Sequence, residues 1–208
     1  MDNKLLEQLE QGCKALTLSL NDEQLHQMLA YVALLVKWNK VYNLTSVRDA
    51  DQMISRHILD SLAIVPYLTG DSLLDVGTGA GLPGIPIAIA RPDIAVTLLD
   101  TNSKKTRFLQ QVKAELALTN ITVVHARVEQ AQLPKFAMIT ARAFATIEDI
   151  IDLTGRHCDD AGYLLLMKGL YPTEELSTIN DQFKLVDVVK LNVPDCSAER
   201  HLVRLIKN

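Results

Sequence analysis

Cysteine is scarce in this sequence of 208 residues, and the three that occur, Cys13, Cys158 and Cys196, lie far apart without C-x-x-C spacing. This pattern argues against a disulfide framework and a structural zinc site, and we expect no bound metal. Apolar runs are also short, and none approaches the ~20 residues of a membrane-spanning helix. The first residues mix acidic and apolar side chains instead of forming a secretory signal, so we expect a cytoplasmic protein.

The chain also has no excess of positive charge: its 25 acidic residues outnumber its 21 lysines and arginines, which leaves a net charge of −4. That balance argues against a protein that coats nucleic acid nonspecifically. Basic residues nevertheless form local clusters, although a single cluster of this kind is usually a solvated face. The clusters comprise Arg48, Arg56 and His57, then Lys104, Lys105 and Arg107, and finally Arg200, His201 and Arg204.

The first third of the chain has the pattern of amphipathic helices, and we predict a helical extension over residues 1–68. Asn21 followed by Gln24 has the form of a capping box that opens a helix. Asp49 is a candidate cap for a second helix. The apolar stripes of these two helices comprise Leu25, Met28, Leu29, Val32, Leu35 and Val36, and then Met53, Ile54, Ile58, Leu62 and Val65.

Strands and helices alternate over residues 69–208, which predicts an α/β domain with a mostly parallel sheet covered on both faces. The last two strands are joined by a segment without a helix, so we expect them to pair antiparallel as a C-terminal hairpin. Strands are predicted at 72–76, 95–99, 121–125, 137–141, 163–167, 185–193 and 201–207. Helices are predicted at 84–90, from a cap at Ser103, at 146–157 and near 173–181.

Residues 75–84, Asp-Val-Gly-Thr-Gly-Ala-Gly-Leu-Pro-Gly, connect the first predicted strand to a helix and predict a cofactor-binding loop. Glycine tolerates positive φ, so its backbone can lie directly against a ligand. Two patterns overlap here. Counted from Gly79, the loop is a dinucleotide fingerprint, with Asp100 placed about 20 residues on as the ribose-binding acid. Counted from Gly77, it is the acid-plus-three-glycines loop of class I methyltransferases, which bind S-adenosylmethionine; the closing hairpin favours this interpretation.

Four segments in this order resemble a known family. They are Trp38-Asn-Lys-Val-Tyr-Asn-Leu-Thr-Ser46, Arg56-His-Ile-Leu-Asp-Ser61, the loop at 75–86 and Ala141-Arg-Ala143. From about residue 25 to its end, the chain resembles the ribosomal RNA small subunit methyltransferase G family, also called glucose-inhibited division protein B. The resemblance implies a Rossmann-like class I methyltransferase domain behind a helical extension. It further implies that S-adenosylmethionine is used to methylate N7 of one guanine in 16S ribosomal RNA. The partner is then that RNA or the small ribosomal subunit, and we expect a monomer.

The resemblance also assigns cofactor contacts, by motif, to particular positions in this chain. These are Gly77, Leu82, Val128, Glu129 and Arg142. The chain departs from the family pattern at two positions beside the expected site. Ala137 stands where the family usually has Asp, and Ala141 where it frequently has Ser, so contacts in this strand are less secure than those in the glycine loop.

The chemistry of the residue types gives each of the other candidates a role. Backbone N–H groups at Gly77, Gly79 and Gly81 would meet the amino-acid end of the cofactor at a helix N-terminus. Asp75 would hold its ammonium group, directly or through water. Asp100 would accept the ribose hydroxyls, unless it is only a helix-capping acid. Glu129 would lie near the adenine beside the Val128 N–H, unless it is an acid at a helix start.

Arg142, placed after the fourth strand, is a candidate to hold the cofactor carboxylate or an RNA phosphate. The alternative is a structural ion pair with Glu148 or Asp149. His57 could equally be a satisfied structural histidine, and Trp38 is expected to pack in the core instead of stacking on a base. Candidate RNA contacts, if they converge on one face, are Arg48, Arg56, His57, Lys104, Arg107 and the weaker Lys168.

Motifs for the harder methyl transfers are missing. No cysteine follows a proline, although methylation at carbon 5 of a pyrimidine typically uses such a cysteine as nucleophile. No Asn-Pro-Pro-aromatic run occurs either, although methylation of an exocyclic base amine typically uses one. Guanine N7 carries no proton, so its attack on a methyl group needs no general base; we expect catalysis by positioning alone, with Arg142 as a possible participant. The alternatives are a small-molecule methyltransferase, a nicotinamide-dependent oxidoreductase and a noncatalytic RNA-binding module.

Overall fold

A computed structural model describes residues 3–142 and 145–208. Met1 and Asp2 of the expected extension, and Ala143 of the Ala-Arg-Ala motif, therefore lie outside the described residues. The described part before the sheet is helical: α1 (Asn3–Ala15), α2 (Asp22–Tyr42), α3 (Ala50–Met53), a π-helical segment (Ile54–Leu59), α4 (Asp60–Leu62) and a 3-10 turn (Val65–Tyr67). The helical character of this part agrees with the apolar stripes.

The start of α2 confirms the predicted capping box. The Asn21 side chain accepts from the Gln24 backbone N–H, and the Gln24 side chain accepts from the Asn21 N–H, both at 2.9 Å. Asp49 occupies the cap position of α3 but makes no side-chain bond to the helix backbone. Its carboxylate instead accepts from the Gln52 side chain at 3.2 Å. The second helix also departs from the simple α-helix predicted, because its centre is π-helical.

The sheet has seven strands among the described residues: β1 (Ser72–Val76), β2 (Ala95–Asp100), β3 (Ile121–His125), β4 (Phe136–Arg142), β5 (Cys158–Lys168), β6 (Phe183–Lys190) and β7 (His201–Lys207). Their spatial order is β3-β2-β1-β4-β5-β7-β6. β1 to β5 are parallel, whereas β7 runs antiparallel to both β5 and β6. This arrangement confirms the parallel sheet and the closing hairpin.

The helices of this domain are α5 (Gly84–Ala90), α6 (Ser103–Glu115) and α7 (Ile147–Thr154). The predicted cap at Ser103 is wrong by one residue: the Asn102 side chain accepts from the N–H groups of Lys104 and Lys105. The predicted helix at 146–157 ends as α-helix at Thr154 and continues as a 3-10 turn. The one near 173–181 is a 3-10 turn at Glu175–Thr178.

The two faces of the sheet bury separate hydrophobic clusters because neighbouring side chains along a strand point to opposite sides. Leu73 lies in the cluster that contains α5, α6 and the helices of the extension, whereas Leu74 lies in the cluster that contains α7. Trp38 packs in the first cluster with its ring 5.5 Å from that of Phe108, which supports the packing interpretation. Within the described ranges, no helix is long and apolar enough to span a membrane.

Candidate active site

The glycine loop turns from the carboxyl end of β1 into α5. Gly77 has a φ of +65°, at which any side chain would be strained, and it lines a cavity. Gly81 has a φ of +96°, and a Cβ at this position would lie 2.5 Å from Ile85 Cγ1 and 2.8 Å from Leu109 Cδ2. Gly81 therefore permits α5 to pack closely, whereas Gly77 leaves room for a ligand.

Asp75 holds the loop in place from inside the core. Its Oδ2 accepts from the Thr78 hydroxyl at 2.6 Å and from the Gly84 N–H at 2.8 Å. The other oxygen, Oδ1, is buried without a hydrogen-bond partner among residues 3–142 and 145–208. Burial raises the pKa of this carboxyl to about 7, while the bonds from Thr78 and Gly84 oppose the rise. The side chain is fully buried and does not line the cavity, so any contact with an ammonium group would run through Oδ1 or a water.

Asp100 lies at the end of β2 with its carboxylate oriented by the backbone. Oδ2 accepts from the Gly79 N–H and Oδ1 from the Asn102 N–H, each at 2.8 Å. The Lys105 ammonium lies 3.9 Å from Oδ2. Because Asn102 caps α6, the alternative interpretation of Asp100 as the capping acid is not supported. Each oxygen retains a lone pair for a ligand in the cavity that Asp100 lines.

We call the space beside this loop the glycine-loop cavity. It has a volume of about 370 Å³ and is lined by Val76, Gly77, Leu99, Asp100, Thr101, Lys105, Ala126, Arg127, Val128, Glu129 and Arg142. Five predicted cofactor residues thus come together, from the ends of four parallel strands, as expected for an open α/β sheet. The predicted contacts Asp75, Gly79, Gly81 and Leu82 lie outside this lining. The Gly79 N–H is already bonded to Asp100, and Leu82 is buried in the core.

Sequence reasoning missed Thr101, Lys105 and Arg127 as lining residues. Lys105 belongs to a noted basic cluster, and Arg127 directly precedes Val128, so both carried a usable signal. The departures at Ala137 and Ala141 lie within β4 and line neither this cavity nor the next one described.

A second cavity, which we call the basic cavity, adjoins the first. It also measures about 370 Å³ and is lined by Ser46, Val47, Arg56, His57, Asp60, Arg142, Met167, Lys168, Gly169 and Arg200. Arg142 lines both cavities and forms their common wall. The extension thus contributes the helical residues Arg56, His57 and Asp60, and the sheet contributes the ends of β4 and β5.

Asp60 joins the extension to the sheet through two arginines. Its Oδ2 accepts from Arg142 Nη1 at 3.1 Å, and its Oδ1 accepts from Arg200 Nε at 2.7 Å. Asp60 is 1% exposed, whereas the arginine side chains are about a fifth exposed. The alternative partners expected for Arg142, Glu148 and Asp149, are not the ones it contacts. Asp60 was missed as a site residue, although the Arg56–Ser61 motif contains it.

His57 is held as a neutral structural side chain. Nδ1 donates to the Arg56 carbonyl at 2.9 Å, so Nε2 accepts from the Thr45 hydroxyl at 2.8 Å. Burial, followed by the charge of the nearby Arg142, lowers the pKa of this imidazole to about 4. His57 lines the basic cavity, but an uncharged ring with both nitrogens bonded is a poor phosphate contact.

The remaining predicted RNA contacts do not all converge. Lys168 lines the basic cavity, but its ammonium is bonded to the Ala145 carbonyl at 2.9 Å and to Glu175 at 2.7 Å. Arg56 is exposed at this cavity. Arg48, Lys104 and Arg107 are exposed and line neither cavity. Arg56 and Lys168 therefore meet at one site, and Arg48 is bonded to Asn43 at 3.0 Å.

The sheet order, the closing hairpin and the glycine loop with its acid at the end of β2 define a class I S-adenosylmethionine-dependent methyltransferase. Solved structures share this fold. A SAM dependent methyltransferase from Aquifex aeolicus matches with a TM-score of 0.55 and 16% identity, over 76% of this chain and 93% of that one. TrmN from Thermus thermophilus matches with a TM-score of 0.57 and 17% identity, over 74% of this chain and 53% of that one.

Sequence comparison identifies the family. The family model for rRNA small subunit methyltransferase G matches residues 24–203. The ribosomal RNA small subunit methyltransferase G of Stutzerimonas stutzeri is 52% identical over 96% of this chain and 94% of that protein. That of Marinomonas sp. is 48% identical over 94% of each. The chain belongs to the rRNA small subunit methyltransferase G family, which confirms the resemblance and decides against a nicotinamide-dependent oxidoreductase.

Proposed function

We propose that this protein transfers a methyl group from S-adenosylmethionine to N7 of a guanine in 16S, small-subunit ribosomal RNA. The observation that carries the proposal is the pair of adjoining cavities with Arg142 as their common wall. A nucleoside cofactor fits beside the glycine loop, and a polyanionic acceptor fits the cavity lined by arginines. We further propose that the protein is a cytoplasmic monomer, which light scattering on the purified protein and cell fractionation would test.

The glycine-loop cavity fits a nucleoside that carries an amino-acid tail. The Asp100 carboxylate, oriented by two backbone N–H groups, has lone pairs left for ribose hydroxyls. The unpartnered Oδ1 of Asp75 would be satisfied by an ammonium group or a bridging water, since buried polar atoms seldom stay unpaired. Gly77 lines the cavity beside these acids, and Val128 and Glu129, which line it too, would contact the adenine.

The basic cavity favours RNA over a small neutral metabolite as the acceptor. Arg142 and Arg200 share the single carboxylate of Asp60, so the group retains a positive charge. The Arg56 guanidinium makes no ion pair or hydrogen bond with any residue in the described ranges. Cationic side chains that converge in this way neutralise phosphate groups, which position a nucleic acid without reading its sequence. The names of the relatives, which specify small-subunit rRNA, agree with this acceptor.

The residues around the basic cavity suit an acceptor atom that carries no proton. S-adenosylmethionine would supply an electrophilic methyl group at this site, and guanine N7 offers it an in-plane lone pair that carries no proton. No base has to remove a proton. Among the described residues of this cavity, His57 is already bonded at both nitrogens and Asp60 at both oxygens. The side chains then act by positioning, which can lower a barrier by roughly 7–11 kcal/mol.

The test is methyl transfer from radiolabelled S-adenosylmethionine to small ribosomal subunits and to their naked RNA, both from cells that lack this protein. Digestion and chromatography identify the labelled nucleoside. We expect label in one N7-methylguanosine. Label in another nucleoside would refute the N7 assignment, and label in neither acceptor would refute the RNA assignment. RNA binding without transfer, unaffected by S-adenosylmethionine, would indicate a binding module instead.

A pair of variants tests the cofactor site itself. Asp100→Asn removes the negative charge that we expect to bind the ribose hydroxyls, and Asp93→Asn removes an exposed carboxylate that is paired with Arg91. We expect the first to weaken S-adenosylmethionine binding, measured by titration calorimetry, and the second to leave it unchanged. If both variants bound S-adenosylmethionine with equal affinity, Asp100 would not be a cofactor-binding residue.

A further inference from the structure

The segment that follows β5 presents two apolar side chains to solvent. Leu170 is 75% exposed and Tyr171 is 52% exposed. Across residues 3–142 and 145–208, Tyr171 is the one aromatic ring with this degree of exposure; the other large exposed apolar side chains are Val41, Leu185 and Val186. Tyr171 is therefore an exception among the aromatic side chains of the described residues, and it lies next to the end of a strand.

Contacts with the closing hairpin hold this segment in place. His201 of β7 is buried, and its Nδ1 donates to the Gly169 carbonyl at 2.8 Å. Its ring meets the Tyr171 ring edge-on with centroids 5.6 Å apart. The Thr173 N–H donates to the Tyr171 carbonyl at 3.0 Å and closes a tight turn. Tyr171 is thus exposed because the fold orients it outwards, and ordering it would cost a ligand little.

The exposed pair lies at the mouth of the basic cavity. Lys168 and Gly169 line both that cavity and a shallow groove of about 540 Å³ along residues 168–175. The groove is therefore continuous with the proposed acceptor site. A nucleotide chain whose target base enters the basic cavity has neighbouring nucleotides within reach of Leu170 and Tyr171.

The charges in the groove favour a base over a phosphate. Glu174 and Glu175 line it, and although Lys168 pairs with Glu175 at 2.7 Å, Glu174 makes no ion pair in the described residues. A phosphate in the groove would be repelled by the Glu174 carboxylate. The face of a base is uncharged and is stabilised by contact with an aromatic ring. Phosphates are better placed at Arg56 and Arg200, on the side of the basic cavity. Single-stranded RNA is commonly bound in this way, with unstacked bases on aromatic side chains.

We propose that Tyr171, supported by Leu170, is a stacking platform for an unpaired RNA base next to the guanine that enters the basic cavity. The inference rests on the proposed function, because it requires RNA as the acceptor. It adds an interaction surface that lies outside the cofactor site and acts on RNA alone.

The test compares Tyr171→Ala and Tyr171→Phe with Val186→Ala, which removes exposed apolar surface on β6 outside both cavities. We expect Tyr171→Ala to raise the KM for RNA between about 5-fold and 150-fold, the range for losing one base–aromatic stack. Tyr171→Phe retains the ring and should stay within about twofold of the unsubstituted protein. S-adenosylmethionine affinity should be the same in all four proteins, which shows that the fold and cofactor site are intact.

A fluorescence measurement tests stacking directly. The small-subunit RNA would carry 2-aminopurine at single positions that flank the methylated guanine. We expect one position to lose fluorescence on binding the unsubstituted protein and the Phe variant, but not the Ala variant. A KM unchanged by Tyr171→Ala, an equal loss in Tyr171→Phe, or no quenching at any flanking position would overturn the platform while methylation of RNA stands. Absence of both methylation and RNA binding in the unsubstituted protein would instead overturn the proposed function, and the platform with it.

Discussion

Replacing Asp60 with Asn should destabilise the protein more than any surface charge substitution. The buried carboxylate accepts from Arg142 on one oxygen and from Arg200 on the other, at 3.1 and 2.7 Å. Asn retains one acceptor oxygen but turns its amide group towards the second arginine, where two donors then face each other. One charge-assisted bond is lost, and the other is weakened because a neutral amide oxygen replaces the carboxylate as acceptor, which together cost about 2–4 kcal/mol of unfolding free energy. The value stays within this range because both arginines are partly exposed and regain some hydration.

The assay is urea denaturation followed by circular dichroism, with Asp93→Asn as the matched control. Asp93 forms a two-bond pair with Arg91 at 2.8 and 2.6 Å, but its side chain is 61% exposed. Because solvent screens an exposed pair, the control should lose less than about 1 kcal/mol. In thermal melts, the Tm of Asp60→Asn should fall by about 4–16 °C, at about 2–4 °C per kcal/mol for a chain of this size.

The same variant should weaken S-adenosylmethionine binding, because Arg142 loses the group that fixes it at the wall of the glycine-loop cavity. Calorimetry under conditions where the variant is fully folded measures this effect separately from stability. If Asp60→Asn lost no more stability than Asp93→Asn, the carboxylate would not hold the two arginines in solution and the reasoning would be refuted.

Three further expectations follow from the loop and from the buried titratable groups. Gly81→Ala should cost about 1–3 kcal/mol of unfolding free energy, since its Cβ would overlap Ile85 at a φ of +96°. Gly77→Ala should mainly weaken cofactor binding. If the two variants had equal effects on the unfolding free energy and on cofactor affinity, this division would be contradicted. The carboxyl of Asp75 has a pKa raised to about 7, so the native state holds a proton that the unfolded state releases from about pH 4 upwards. The stability of the unsubstituted protein relative to Asp75→Asn should therefore fall as the pH rises from 4 to 7, and a flat difference in urea midpoints would count against it. His57, with its pKa lowered to about 4, should stay neutral at pH 5.5, where the unfolded state binds a proton. Its contribution to stability is therefore lost as the pH falls from 6.5 to 4. An NMR titration of the ring with a midpoint near 6.5 would disprove the buried assignment.

The sequence by itself determined the features that depend on neighbouring residues. The capping box at Asn21, the strands that end at Val76 and Asp100, and the glycine loop all follow from local periodicity and from the conformations that individual residue types allow. Parallel strands place their carboxyl ends at one edge of a sheet, so Gly77 and Asp100 could be expected to meet before any coordinates were known.

Only the tertiary structure decided which polar groups share a partner. Asp60 is separated by 82 residues from Arg142 and by 140 from Arg200, and no periodicity joins them. Lys168 is bonded to Glu175 through a turn whose path the sequence does not specify, and His57 is neutral because the extension buries it against Thr45. Ion pairs and hydrogen bonds between distant residues depend on how the helices of the extension dock on the sheet, and that docking is set by apolar packing, which favours no particular charge pair.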